Sequence, residues 1–229
     1  MNFKSRTDLD SKIIEGIPYY KVHPIMLPFI GENYERNKIL LISESHYLPK
    51  GDSMPMSDEW YENSDLGLRV QKNHDTRKVV EIFNHPLFKN IMLATNEVDS
   101  NIDFSHFAWY NFFQKPALNR DTIKKHLTKK DKEISLDIFE KLTEILQPKT
   151  IIFLSKLAFD SIHKDLNGKI VRTYSQNMKA HQYKSISNPI KWAHHPNSWH
   201  WHSLKKANPT GKQRFINALS YSLSFNSKY

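Results

Sequence analysis

Cysteine is absent from the 229 residues. Disulfides, thiolate-ligated zinc, iron–sulfur clusters and a cysteine nucleophile are therefore excluded. Glycine is scarce, with six residues, and no tract of biased composition occurs, which argues against a disordered or repetitive chain. No run approaches the ~20 apolar residues of a membrane span, so no membrane partner is expected. The first residues, Met1 to Lys12, are polar and contain no apolar run that would serve as a signal peptide. The expected location is the cytoplasm.

What is present is one domain's worth of chain, long enough to bury a core without covalent staples. No linker suggests a boundary, so residues 1–229 are expected to form a single domain. Lysine and arginine total 33 against 24 acidic residues, a formal net charge of +9. An excess of that size favours polyanionic partners such as nucleic acid, or else a solubilised surface.

Residues 1–36 read as irregular, because Pro18, Pro24 and Pro28 interrupt any long element. The run Lys38-Ile-Leu-Leu-Ile-Ser43 reads as a buried parallel strand. Residues 49–75 are polar, with Pro49, Gly51, Pro55 and Gly67, and read as a long functional loop. Helices are expected over 76–84 and 86–95, and an aromatic strand over 104–113. A helix over 134–146 places Leu136, Phe139, Leu142, Ile145 and Leu146 on one face. A third strand over 150–154 runs into a helix over 156–162. Further strands are expected at 170–174 and 190–193, and a last helix over 210–223. Strands alternating with helices imply a three-layer α/β/α architecture around a central, mainly parallel sheet. Ligands in such sheets bind beyond the carboxyl ends of the strands.

Three strand ends carry chemistry. Ser43, Glu44, Ser45, His46 and Tyr47 form a polar row after the most apolar strand. Trp109-Tyr-Asn-Phe-Phe113 sets Asn111, an amide with both donor and acceptors, among aromatic residues. Beyond residue 193, His194 and His195 precede Pro196-Asn-Ser-Trp-His-Trp-His202, four histidines and two tryptophans in nine residues. Glu44 or Asp52 with the 194–202 histidines would supply metal ligands, although no established zinc spacing is present. Lys205-Lys206, just past this loop, suits phosphate contact. The basic run Lys124 to Lys132 reads as a solvated helix face or loop.

Taken together these segments resemble the uracil-DNA glycosylase superfamily. Ile42-Ser-Glu-Ser-His-Tyr-Leu-Pro49 lies in the register of that family's first motif, with Glu44 on its acidic position. His195-Pro-Asn-Ser198 is similar to the second motif, with Trp199 at the position of the intercalating side chain. Phe107-Ala-Trp-Tyr-Asn111 and Ile151-Ile-Phe-Leu-Ser-Lys-Leu-Ala158 match two further strands, in the family's order. Ser43 and Ser45 depart from the pattern, and the acid is Glu rather than Asp.

The resemblance implies a single domain of that fold which hydrolyses the N-glycosidic bond of uracil or another damaged or deaminated base in DNA. Glu44 would stabilise the sugar cation and orient water, and His195 would stabilise the departing base. Asn111 would read the base edge, with Ser43, Tyr47 and a stacking platform of Trp60 or Tyr61 also against the base. Pro196, Asn197, Ser198, Trp199, Lys205 and Lys206 would contact DNA, duplex or single-stranded. No metal or other cofactor is needed, and a monomer is expected. Two other readings stay open: a metal-dependent hydrolase using Glu44 and the 194–202 histidines, and a non-catalytic nucleic-acid-binding module of the same fold.

Overall fold

The computed structural model describes residues 3–48, 52–53, 55–64, 75–82, 85–118, 123–163, 166–175, 178–183 and 186–226. Helix α1 (Asp10–Gly16) and the single turn α2 (Tyr19–Val22) lead through a 3-10 turn (Pro24–Met26) to the two-residue strand β1 (Phe29–Ile30). The turn α3 (Tyr34–Asn37) precedes β2 (Ile39–Ser43). Then come α4 (Ser57–Glu62), α5 (Thr76–Ile82), α6 (Pro86–Asn96) and β3 (Phe107–Asn111). The long α7 (Lys129–Leu146), β4 (Thr150–Phe153) and α8 (Lys156–His163) follow. Strands β5 (Leu166–Ser175), β6 (Met178–Tyr183) and β7 (Ile186–Trp192) are consecutive, and α9 (Trp199–His202) and α10 (Gly211–Asn226) come last.

The sheet has seven strands in the order β1-β3-β2-β4-β7-β6-β5. Its central four, β3, β2, β4 and β7, are mutually parallel. Antiparallel strands flank them, β1 on one side and the β6–β5 pair on the other. Parallel strands need covering layers on both faces, and both layers are present. Leu40, Ile42, Tyr110, Ile151 and Phe153 pack beneath Ile13 of α1, Ile138, Phe139 and Leu142 of α7, and Phe159 and Ile162 of α8. Ile39, Leu41, Phe107, Trp109 and Ile152 pack on the opposite face, beneath Phe88 and Ile91 of α6 and Phe215 and Leu219 of α10. The strand's period of two thus distributes one unbroken apolar run between two cores.

Several expectations change. Within the segment expected to be irregular, residues 3–36 are substantially helical. Pro18 caps α2 and Pro24 opens the 3-10 turn, positions where a missing N–H and a fixed φ favour a helix start. The aromatic strand is shorter than expected, because Asp103 caps a 3-10 turn over Phe104–His106. Helix α7 begins five residues earlier than its apolar face indicates, at a capping box made by Thr128 and Asp131. The strand expected at 170–174 lies within β5, whereas β6 was not expected, since neither Gly nor Pro separates it in the sequence from β5 or β7.

The buried pair Lys115–Asp131 ties the chain after β3 to the start of α7, with the Lys115 Nζ 2.9 Å from Asp131 Oδ2 and side chains 3% and 0% exposed. Lys115 also donates to Ser57 Oγ (2.9 Å) and to the His126 carbonyl (3.1 Å). Asp131 accepts from the Thr128 N–H (2.7 Å) and hydroxyl (2.9 Å). Burial alone would raise the Asp131 pKa; the Thr128 N–H and Lys115 outweigh it and hold the carboxyl below its usual range. Lys115→Met leaves that carboxylate buried without its cation. The expected cost is about 3–5 kcal/mol of unfolding free energy, measured by urea denaturation. A cost below about 1 kcal/mol would mean that the pair holds nothing in place.

Candidate active site

Strand β2 is the point where the order of the parallel strands reverses. The chain passes from β2 to β3 on one side and then crosses to β4 on the other. A crevice opens beyond the carboxyl ends at such a switch point. A cavity of about 590 Å³ lies there, and its wall includes Ser43, Glu44, His46 and Tyr47 after β2, Trp109 and Asn111 of β3, and His195 and Ser198 after β7. Helix α6 and its N-cap close the other side with His85, Leu87 and Phe88.

Backbone pairing continues past β2 and fixes the first wall. Phe112 N donates to Ser43 O (3.0 Å), Phe113 N to Glu44 O (2.9 Å) and Ala117 N to His46 O (2.7 Å). The Glu44 carboxylate accepts from Ser155 Oγ at 2.6 Å. Ser155 also accepts the Ala158 N–H (3.2 Å), so one hydroxyl both caps α8 and orients the acid. No cation pairs with Glu44 among the described residues. Ser43 is turned to accept the Trp109 indole N–H at 2.7 Å, so it fixes the indole that lines the cavity.

His195 is half-buried, and its Nδ1 accepts the Asn197 N–H (3.2 Å). The proton then sits on Nε2, which has no partner among the described residues. Burial, with a lesser contribution from His85, pushes the His195 pKa down to about 4. The imidazole is therefore a neutral donor at physiological pH. Asn111 is buried (6% exposed) with no side-chain hydrogen bond among the described residues. The hydroxyls of Ser45 and Ser198, both on the cavity wall, are buried and have no hydrogen-bond partner among the described residues.

The structure brings together Glu44, His195, Asn111, Ser43, Tyr47, Asn197 and Ser198. It does not bring Trp60 and Tyr61. Both lie in α4 and are buried at 0% and 8% exposure in the core on the other face of the sheet. Trp60 stacks on His23 (4.4 Å between centroids), so neither ring is available as a stacking platform. Their place at the cavity is taken by Trp109 and Phe88, in edge contact at 5.1 Å. Pro196 is buried, and its carbonyl accepts from Asn90 of α6 at 2.9 Å. Pro49 lies outside the described residues.

On the outer side of Asn197 and Ser198 is a second groove of about 530 Å³, reached by Trp199, His202, Leu204 and Lys205. Trp199 is 76% exposed, whereas Trp201 is buried against Phe215. Gly211 permits this packing, since a Cβ there would meet the His194 Cβ at 2.8 Å. Lys205 and Lys206 are both exposed. His194 stacks on His200 (4.8 Å) instead of turning toward Glu44. No cluster of three histidine or acidic side chains suited to a metal occurs among the described residues.

Sequence reasoning missed His85, Phe88 and Trp109. A polar residue directly before a proline is a helix-start signature, and His85-Pro86 carries it. No family model matches the sequence, and no curated protein matches it either.

The depressed His195 pKa has a measurable consequence. Below pH ~6.5 an unfolded chain binds a proton that the folded imidazole refuses until about pH 4. Stability is thus undiminished by this group above pH ~6.5 and declines as pH falls toward 4. An NMR titration is expected to give a His195 midpoint near 4. His195→Gln is expected to flatten the fall of stability across that window. A midpoint at the ordinary histidine value would mean that the ring is solvated and charged near pH 6.

Proposed function

We propose that this protein is a DNA-base glycosylase, hydrolysing the N-glycosidic bond of uracil or another damaged or deaminated base. The observation that carries this reading is a cavity at the strand ends in which one carboxylate, Glu44, without a cationic partner among the described residues, shares a wall with a neutral, proton-presenting His195. Such a reaction breaks the bond between C1′ and the base nitrogen, and the electron pair leaves with the base. Positive charge develops on the sugar and negative charge on the base. A carboxylate beside the sugar stabilises the first and accepts the proton of the attacking water. A neutral Nε2–H stabilises the second by hydrogen-bonding a base oxygen. Asn111 supplies an amide for the edge of the base, and Trp109 and Phe88 supply aromatic walls. The base must leave the DNA stack to enter such a cavity.

The net charge of +9 and the exposed Lys205 and Lys206 favour a phosphate backbone as partner. The metal-dependent alternative has no ligand set among the described residues.

Duplexes carrying a single uracil, hypoxanthine or xanthine, treated with alkali after incubation, test the activity. Strand cleavage at the modified position is expected, and Glu44→Gln is expected to lower base release on the order of 100-fold or more while DNA binding persists. Binding without release by the unaltered protein would leave only a nucleic-acid-binding module.

Trp199 is proposed as the wedge that fills the gap left by the extruded base, an arrangement that recovers part of the few kcal/mol lost in unstacking. Trp199→Ala should reduce base release about 10-fold or more on duplex substrate, and far less on a single strand, where no neighbouring pairs need holding open. Equal loss on both would remove the wedge role.

A further inference from the structure

The proposed reaction uses one imidazole, yet the cavity wall carries three; His46 is hydrogen-bonded to Thr76 Oγ1 (3.3 Å), and His85 stands beside His195 as a second donor. His85 lines the same cavity as Glu44, Asn111 and His195. It is the N-cap of α6, and its Nδ1 accepts the Leu87 N–H at 3.2 Å. That bond leaves the proton on Nε2, and Nε2 has no partner among the described residues. The ring stands edge-on to Phe88 (6.2 Å), which is also on the cavity wall. Helix α6 carries His85 at its start and Asn90 one turn later, and Asn90 grips the Pro196 carbonyl (2.9 Å) next to His195. One rigid element therefore sets both imidazoles relative to each other.

Burial lowers the pKa of His85, so this second ring is also neutral. Two neutral donors have no charge with which to hold a phosphate. They suit the uncharged carbonyl oxygens of a heterocycle.

We propose that His85 is a specificity-determining residue of this site, and that the base it admits carries two carbonyl oxygens, one for each imidazole. Asn111 then supplies an acceptor for the ring N–H that lies between two such carbonyls. Uracil and xanthine have this edge. Hypoxanthine has one carbonyl and adenine none. This inference rests on the glycosylase reading for its reaction, but its recognition chemistry stands or falls on binding alone.

Xanthine and hypoxanthine share a ring size and differ at C2–N3, where xanthine has a carbonyl and an N–H, so the effect of a His85 substitution on their ratio isolates the second donor. His85→Asn keeps the helix cap, because asparagine is a favoured N-cap residue, and removes the Nε2–H. In the intact protein, kcat/KM for xanthine release from duplex DNA should exceed that for hypoxanthine. In His85→Asn that ratio should fall about 10-fold, with hypoxanthine release changed less than about threefold. An unchanged ratio, or equal loss on both substrates, would overturn the role of His85.

If the intact protein releases no base from any duplex, the glycosylase reading fails and calorimetry with the free bases decides the recognition. Tighter binding of xanthine than of hypoxanthine, reduced to parity in His85→Asn, supports the proposal. Equal binding, or none, overturns it.

Discussion

Strand β2 is hydrogen-bonded along both edges and buried on both faces, with Ile39 to Ile42 at 0% exposure. A strand so enclosed has no freedom of register. A slip of one residue would exchange the side chains belonging to the two cores and turn Glu44 from the crevice into apolar packing. The placement of Glu44 therefore derives from the whole sheet. Its backbone is held by Phe113 of the adjoining chain, and its carboxylate is oriented by the start of α8.

Around that fixed acid the cavity is electrically quiet. One carboxylate shares its wall with the imidazoles of His195 and His85, which burial keeps uncharged, together with amides, hydroxyls and aromatic rings. Each donor aimed into it acts in a medium of lower polarity than water, where hydrogen bonds gain strength and unpaired polar atoms are costly. The positive charge sits elsewhere, on the outer groove and the exposed lysines. Attraction of a polyanion and discrimination of an uncharged ring are thus assigned to different parts of the surface.

The central strands were legible in the sequence because both of their faces are buried, and such strands appear as short apolar runs at 39–42, 150–154 and 190–193. Their polar endings identified Glu44, Asn111 and His195, since a polar cluster directly after a buried run has no core to join. Trp60 and Tyr61 were misplaced for a related reason. They follow a polar stretch that resembles a solvent-exposed loop, yet α4 turns both rings into the core beside His23 and Tyr19. Aromatic content alone carries no sign that separates a ligand platform from packing. His85 escaped notice because it belongs to no strand end and reaches the cavity through the tertiary placement of α6. The antiparallel pairings of β5 and β6 lacked the turn residues by which hairpins are read.

The double duty of Ser155 restricts what chemistry that position accepts. It must accept a hydrogen bond from a helix N–H and donate one to Glu44, from a side chain short enough to do both. Serine, threonine and asparagine satisfy both demands. Aspartate would cap the helix but set a second negative charge against Glu44, whereas alanine and glycine would satisfy neither partner. The two hydrogen bonds that hold Glu44 and the start of α8 together therefore suit position 155 to that short set of side chains. Replacing Ser155 with alanine would free the Glu44 carboxylate from the start of α8 and remove the helix cap in one step.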